Sequence, residues 1–381
     1  MAMLAVILYK EMHITPFQIT VIIALKPISA LFAPYWSLRI YRQKDRLISN
    51  IIYAAVLQYT PLLFFPWITS SWLIILAFGI YMMLNRGVMP TWMELFKRNM
   101  PPVTRENTFS YGSIVEYLGS VIVPVCLGVL LDTYGFAWNW LFPFAALLGL
   151  CSIYFLAQIP LSADTTTTGE DLKPLKFQLT QPMRFSWDLL VQRPDFTRFQ
   201  IGFMLGGGGL MVMQPALPPF FVDVLQLSFT QMGIAVAAFK GVGFVLTAPF
   251  WAKLFRRLNI YYFSGIVTAL AALFPLLLIS SQYYLNLLCV AYLIYGVMQA
   301  GSELSWHMSG VVFAKDSDST VFSSTNVLAV GIRGCFFPFL GSFLYSMTNA
   351  TTVMAAGAIL CVLATHSLLT SSRSFERVKS T

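Results

Sequence analysis

The chain contains 381 residues, of which 57% are hydrophobic and only 10% charged, with a mean hydropathy of +0.71 and a formal net charge of +8. Soluble domains average about 25% charged residues, so this composition excludes an ordinary soluble protein and indicates one embedded in a membrane. Apolar windows of about 20 residues recur, and each is long enough to cross a bilayer of about 30 Å as a helix.

Apolar segments along the chain predict membrane-spanning helices, so the expected fold class is an all-α, polytopic membrane protein. In chain order the predicted helices cover about 17–38, 47–66, 72–94, 109–131, 137–159, 199–221, 229–252, 260–280, 284–308, 320–345 and 350–371. Residues 1–9 are also apolar, but this segment is too short to span a bilayer.

The two halves of the chain carry the same pattern at a spacing of about 214 residues. Ala33–Trp36 is matched by Ala248–Trp251, and Phe109-Ser110 is matched by Phe322-Ser323. A third match pairs Tyr81, Gly87, Thr91 and Trp92 with Tyr295, Gly301, Ser305 and Trp306. Duplicated halves in an apolar chain are typical of secondary transporters, whose repeats move around a central site. We therefore expect two six-helix bundles related by a parallel repeat.

The repeat also predicts that the first helix is incomplete. Thr15-Pro16-Phe17 corresponds to Ser228-Phe229-Thr230, so residues 1–9 correspond to the end of the helix at 199–221. A full match would need about 14 more residues before Met1. We expect about 11 complete helices here and twelve in the natural protein, with the first one clipped; a naturally shorter transporter is the alternative.

The expected organisation follows from the repeat and the longest polar stretch. It comprises an N-terminal bundle at 1–160, a central loop at 161–198, a C-terminal bundle at 199–371 and a tail at 372–381. The end of the central loop, from Pro182 to Phe199, has apolar residues set among basic ones and could form an amphipathic helix at the membrane interface.

Basic residues collect on one side of the predicted membrane. One side, called the basic face from here on, holds Arg39, Arg42, Lys44, Arg46, Lys97, Arg98, Arg105, Lys173, Lys176, Arg184, Arg193, Arg198, Lys253, Arg256, Arg257, Lys315, Arg373, Arg377 and Lys379. The other side, the opposite face, holds Lys10. This asymmetry predicts that the basic face, with the central loop and the C-terminus, is cytoplasmic in a cell (inner) membrane. It also explains the net charge without a nucleic-acid partner.

Two six-helix halves, a parallel repeat and a long central loop resemble the major facilitator superfamily over nearly the whole chain. That family usually has a Gly-x-x-x-Asp-Arg-x-Gly-Arg-Arg loop after its second helix. Pro34–Arg42 occupies this place, where Arg39 and Arg42 keep the basic character but the glycines and the acid are missing. The resemblance implies secondary transport by alternating access, a cytoplasmic gate at Arg39 and Arg42, and a place for Arg86 in the fourth helix.

Six ionisable side chains fall within the predicted spans. Each needs an explanation, because insertion of Arg or Lys at mid-bilayer costs about 2.5–3.5 kcal/mol. They either form structural ion pairs or snorkel to an interface, or they line a pathway and contact the substrate or a proton. These residues are Lys26, Arg86, Glu116, Lys240, Glu303 and Arg333.

Pairs among these charges suggest specific roles. Lys26 and Lys240 are 214 residues apart, and on the family layout they would flank an anion from opposite halves. The alternative is that Lys240 pairs with Glu116. Arg86 and Glu303 come from equivalent helices and could form an ion pair that breaks in one state.

The excess of cations over acids predicts an anionic or zwitterionic organic solute, which Arg333 would bind through its bidentate fork. Gln214 and Gln299 could orient this solute. Glu303 and Glu116 are the candidates for proton coupling or gating, while a facilitator or exchanger without proton coupling remains open. The glycine run Gly206–Gly209 permits either bending or close packing of its helix.

Other classes of function have less support in the sequence. No catalytic constellation, metal-ligand spacing or nucleotide-binding domain emerges, so we expect neither an enzyme nor a cofactor. The expected partners are a small-molecule solute and membrane lipids, with protons as a candidate coupling ion, and the chain is expected to be monomeric. The alternatives are a lipid flippase and a non-transporting receptor or scaffold on a carrier fold.

Overall fold

The computed structural model describes residues 2–41, 47–99, 102–134, 137–159, 184, 186–314 and 319–380. Every regular element in these ranges is helical. The N-terminal half contains α1 (Ala2–Met12), α2 (Pro16–Tyr41), α3 (Leu47–Leu63), α4 (Ser71–Asn99), α5 (Pro102–Thr133) and α6 (Ala137–Ala157). The C-terminal half contains α7 (Pro194–Val224), α8 (Phe229–Phe255), α9 (Ile260–Ser280), α10 (Asn286–Ala314), α11 (Ser319–Met347) and α12 (Ala350–Ser380).

The predicted spans coincide with these helices. Within the described ranges, eight helices are long and apolar enough to cross a membrane, and three shorter apolar helices accompany them. Several helices run beyond the predicted span at the basic face: α4 continues to Asn99 and α10 to Ala314. The sequence pattern missed these extensions because a helix that leaves the bilayer no longer needs apolar residues on all sides. The predicted helical membrane fold is confirmed.

The repeat is visible in how α2 and α8 begin. The backbone N–H of Thr15 donates to Gln18 Oε1 at 2.9 Å, and the backbone N–H of Ser228 donates to Gln231 Oε1 at 3.0 Å. A hydroxyl residue followed three positions later by Gln is the capping-box pattern, which satisfies amide groups at a helix start. Equivalent positions of the two halves therefore start their helices with the same device.

The end of the central loop forms a short helix at 186–192, and α7 then begins at Pro194. Proline suits a first helical position because its missing N–H would have no partner there. Ser186 accepts a hydrogen bond from Thr325 of α11 at 3.0 Å, while Trp187 and Val191 are exposed. The predicted amphipathic segment is thus split in two, and α7 starts five residues earlier than the pattern indicated.

Arg193 stabilises the junction between this short helix and α7 through hydrogen bonds. Its guanidinium donates to the Asp195 carboxylate at 2.8 and 3.0 Å and to the carbonyl of Phe313 in α10 at 2.9 Å. The hydrogen bond to Asp195 raises the pKa of Arg193 above its usual value. The central loop is therefore attached to the C-terminal half through a cation that stays charged.

Small residues bring α8 and α10 into direct backbone contact. A Cβ added at Gly296 of α10 would lie 2.0 Å from the Lys240 carbonyl oxygen, and one at Gly243 would lie 2.2 Å from the Leu293 carbonyl oxygen. Such contacts drive helix association in a bilayer, where the hydrophobic effect between helices is absent. This packing holds the polar side chains of α8 and α10 next to each other.

Candidate functional site

A polar stripe on α10 forms the centre of the candidate site. Tyr295, Gln299, Glu303 and His307 follow one another at intervals of four residues, so they lie along one side of the helix. Gln299 is near the middle of α10, and His307 lies two turns before its basic-face end. A stripe of this kind within an apolar helix indicates a polar surface that faces other helices or a water-filled space.

The basic-face end of this stripe lines a cavity of about 230 Å³ between α8 and α10. His307 Nε2 lies 3.2 Å from Glu303 Oε2, and both side chains are accessible, at 68% and 47% exposure respectively. The remaining lining residues are apolar: Phe244, Ala248, Ala300, Leu304 and Met308. The cavity therefore places one accessible acid–histidine pair beside an apolar wall.

Lys240 reaches the other end of the stripe from α8. Its Nζ lies 5.2 Å from the centroid of the Tyr295 ring, within the range of a cation–π interaction. The turn just before Lys240, Ile234–Phe239, is π-helical. Such turns are rare and are frequent at functional sites, because one inserted residue redirects the side chains that follow.

Arg333 of α11 occupies a slot on α7 that exists because residue 207 is glycine. A Cβ at Gly207 would lie 1.8 Å from Arg333 Nη1. Nη1 donates to the Phe203 carbonyl oxygen at 3.2 Å, and the guanidinium lies 5.8 Å from the Phe203 ring centroid. Arg333 Nε is buried without a hydrogen-bond partner in the described part of the chain. A Cβ added at Gly206, Gly208 or Gly209 would lie 2.6, 2.7 or 2.5 Å from a neighbouring helix, and Pro194–Met213 is continuous α-helix, which favours close packing over bending at this run.

Tyr295 joins the stripe on α10 to α8, because Lys240 Nζ lies over its ring. Tyr295 was recognised from the sequence as a repeat match and not as part of the site. Its spacing of four residues from Gln299 was the signal that could have identified it.

The two predicted glutamines differ in their surroundings. Gln299 Oε1 is buried and has no hydrogen-bond partner among the described residues, which is a costly state for a polar atom unless a ligand or water satisfies it. Gln214 is partly buried and begins a 3₁₀ turn, Gln214–Ala216, inside α7. Gln299 thus has an unused acceptor beside the charged cluster, whereas Gln214 marks a local change in the winding of α7.

The other predicted site residues lie outside the described part of the chain. This applies to the side chains of Lys26, Arg39, Arg86 and Glu116 and to all of Arg42. The proposed pairs of Lys26 with Lys240, Lys240 with Glu116 and Arg86 with Glu303, and the gate at Arg39 and Arg42, therefore stay predictions. Glu303 itself is paired with His307 in this structure.

The slot at Gly207 leads to a testable prediction. Gly207→Ala forces the Arg333 guanidinium away from the Phe203 carbonyl, so we expect it to weaken anion binding about as much as Arg333→Gln does. Loss of a charged hydrogen-bonding group costs about 1.5–3 kcal/mol, or roughly tenfold to a hundredfold in affinity. The measurement is the stabilisation of the purified protein by an anion. Arg333→Lys, which keeps the charge without the fork, should bind anions less tightly than the wild-type protein and more tightly than Arg333→Gln. Full anion binding by Gly207→Ala would contradict the prediction.

Comparison with known proteins gives the family. The family model described as Major Facilitator Superfamily matches residues 1–338. The proton-coupled antiporter flippase LtaA of Staphylococcus aureus (strain USA300) is 23% identical over 304 residues, covering 77% of this chain and 70% of that protein.

Solved structures with the same fold include the nucleoside transporter NupG, with a TM-score of 0.69 and 14% identity over 97% of this chain and 94% of that chain. A POT family transporter in complex with 5-aminolevulinic acid has a TM-score of 0.74 and 13% identity over 98% and 92%. Family match and fold agree with the helical membrane architecture and its repeat. The chain is a multi-pass membrane transporter that belongs to the major facilitator superfamily.

Proposed function

We propose that this protein is a proton-coupled secondary transporter that moves an organic anion or zwitterion by alternating access. The observation that carries this proposal is Arg333, a cation held inside the C-terminal half with no carboxylate paired to it in the described part of the chain. A buried charge of this kind is costly unless it is paired. An anionic substrate would supply the countercharge and engage the guanidinium through its bidentate fork.

Further groups near Arg333 support binding of a polar solute. Lys240 adds a second cation above Tyr295, and Gln299 offers a buried acceptor without a partner among the described residues. A solute with a carboxylate or phosphate and a hydrogen-bond donor would satisfy these groups together. This deep polar cluster is the proposed substrate site.

The Glu303–His307 pair supports proton coupling. A coupled carrier needs a group whose protonation changes during the cycle, and this pair lines an accessible cavity one turn or more from the cluster around Tyr295. The relative LtaA is described as proton-coupled, which agrees with such a role. With the basic face in the cytoplasm, as the distribution of Lys and Arg predicts, the pair would exchange protons with the cytoplasmic side.

A lipid flippase is the second candidate, because the cavity between α8 and α10 has a largely apolar lining. Phe244, Leu304 and Met308 could contact an acyl chain while the cationic cluster binds an anionic headgroup. The relative LtaA is described as a flippase. Both candidates share the anionic recognition group and differ in whether the substrate carries an apolar tail.

Thermal stability of the purified protein against a panel of ligands tests the proposal. We expect organic anions to raise the unfolding temperature, because a ligand at about 100 times its Kd stabilises the folded state by about 2.7 kcal/mol. Neutral and cationic metabolites should have little effect, and Arg333→Gln should remove the response to anions. Stabilisation by cations or neutral compounds alone would contradict the proposal.

A second assay separates the candidates. If water-soluble anions do not stabilise the protein, but proteoliposomes containing it translocate a fluorescently labelled anionic lipid, the result favours the lipid flippase. Ligand stabilisation without uptake or lipid movement would indicate a non-transporting receptor.

A further inference from the structure

Two carboxylates connect the halves of the protein at the opposite face. Asp132, near the end of α5, accepts hydrogen bonds from the backbone N–H groups of Phe229 at 2.8 Å and Thr230 at 2.7 Å, at the start of α8. The Tyr9 hydroxyl of α1 donates to Asp223 of α7 at 2.5 Å. Tyr9 and Asp223 are 214 residues apart, the spacing of the repeat, so their contact lies near the axis that relates the halves.

Asp132 completes the capping of α8 from the other half. Two amides at the start of α8 are satisfied by residues of the same segment: the Ser228 N–H donates to Gln231 Oε1, and the Gln231 N–H donates to Ser228 Oγ. The first-turn amides of Phe229 and Thr230 have no acceptor inside the helix, and Asp132 supplies one oxygen to each. A carboxylate at a helix N-terminus also interacts favourably with the helix dipole.

Close packing makes this contact possible. A Cβ at Gly128 of α5 would lie 2.7 Å from the Phe229 carbonyl oxygen, and one at Gly233 of α8 would lie 2.7 Å from the Pro124 carbonyl oxygen. The two backbones therefore touch along the last turns of α5. Because the two backbones are in contact, the short Asp132 side chain reaches the α8 amides directly.

No acid stands at the corresponding position of α11. Tyr345 and Ser346 come 213 and 214 residues after Asp132, and the Ser346 hydroxyl donates to the Phe343 carbonyl oxygen of its own helix at 2.7 Å. At the basic face, Pro34–Arg42 stands in the place of the family motif and contains no acid, and Asp45 follows three residues later. An acid thus takes part in the contact between α5 and α8 at the opposite face, whereas the motif stretch at the basic face has none.

We infer that Asp132 is a positioning residue of the transport cycle: it holds α8 against α5 while the opposite face is shut and must release the α8 amides for that face to open. This inference rests on the alternating access of the proposed function. It predicts that the resting protein favours the state closed at the opposite face, and that removal of the carboxylate shifts the balance toward opening.

The test is a distance measured across the opposite face by electron spin resonance between spin labels at Thr69→Cys and Tyr283→Cys, with the five native cysteines replaced. Both positions are exposed, and each lies in a loop of a different half. We expect Asp132→Ala to increase the long-distance population about tenfold, as loss of a charged hydrogen bond implies. Asp132→Asn, which keeps an acceptor oxygen, should cause a smaller shift.

The matched control is Thr133→Ala, because the Thr133 hydroxyl donates to Val129 of its own helix at 2.8 Å. Its distance distribution should equal that of the wild-type protein. Thr230→Pro removes one donor from the other side of the contact, and proline is tolerated in a first helical turn, so it should shift the distances even if Asp132→Ala does not fold. Unchanged distances in Thr230→Pro and in any folded Asp132→Ala would overturn the inference. The readout needs no substrate, so it is independent of whether the anion panel succeeds.

Discussion

Replacing Glu303 by glutamine is expected to abolish the effect of a pH gradient on substrate distribution. Glutamine has nearly the same shape but cannot take up and release a proton, and it replaces the carboxylate that contacts His307. A gradient of one pH unit stores about 1.4 kcal/mol per proton, so a carrier coupled to one proton can change the substrate ratio across the membrane about tenfold. In Glu303→Gln this ratio should return to about one, while exchange without a gradient continues.

The measurement uses proteoliposomes with an imposed pH gradient and the anion that stabilises the protein most strongly. His307→Gln is the matched control, because it removes the partner at 3.2 Å and leaves the carboxylate in the cavity. Gradient-driven accumulation should persist in this variant. If Glu303→Gln keeps its full response to the gradient, Glu303 is not the coupling group and a facilitator or exchanger without proton coupling becomes the better description.

The second large effect is expected from Gly296→Ala. The added Cβ would lie 2.0 Å from the Lys240 carbonyl oxygen and 2.9 Å from the Phe244 nitrogen, both of them backbone atoms of α8. Overpacking costs about 1–3 kcal/mol, and a clash with backbone that cannot rotate away belongs at the upper end. Alanine recovers up to about 1 kcal/mol of helix propensity, so the net destabilisation is expected to be about 2 kcal/mol.

Separation of α8 from α10 also moves Lys240 away from Tyr295, so Gly296→Ala should lower the response to anions as well as the unfolding temperature. Gly119→Ala is the control, since a Cβ at Gly119 would meet nothing within 4 Å. This variant should unfold at the wild-type temperature or slightly above it, because alanine favours helix more than glycine. Equal unfolding temperatures for the two variants would show that the α8–α10 contact is looser than the structure indicates.

Part of the candidate site was predictable from the cost of charge in an apolar segment. Lys240, Glu303 and Arg333 were identified in this way, since each interrupts a span that is otherwise apolar. Their partners differ in how far the sequence indicates them. The contact of Lys240 with Tyr295 joins two helices and depends on how these pack, whereas His307 stands four residues after Glu303 in one helix, a spacing that places the two side chains side by side.

Asp132 was not identified because its position at the end of a predicted span is ordinary for an acid. Its importance depends on which helix begins beside it, and that helix comes from the other half of the chain, 97 and 98 residues further along. The role of the glycine run in α7 was likewise not predictable from the local sequence. Composition allowed both bending and close packing, and the choice depends on α11 bringing Arg333 against Gly207.

The sequence by itself determined that this is a helical membrane protein, where its spans lie, that its halves are duplicated and which face is basic. These properties follow from hydrophobic length, residue spacing and charge distribution, which are local or additive along the chain. The tertiary structure alone decided that the Arg333 guanidinium packs against Gly207, that Lys240 lies over the Tyr295 ring, and that Asp132 caps α8. These contacts join residues distant in sequence, and they depend on which helices are neighbours and how closely their backbones approach.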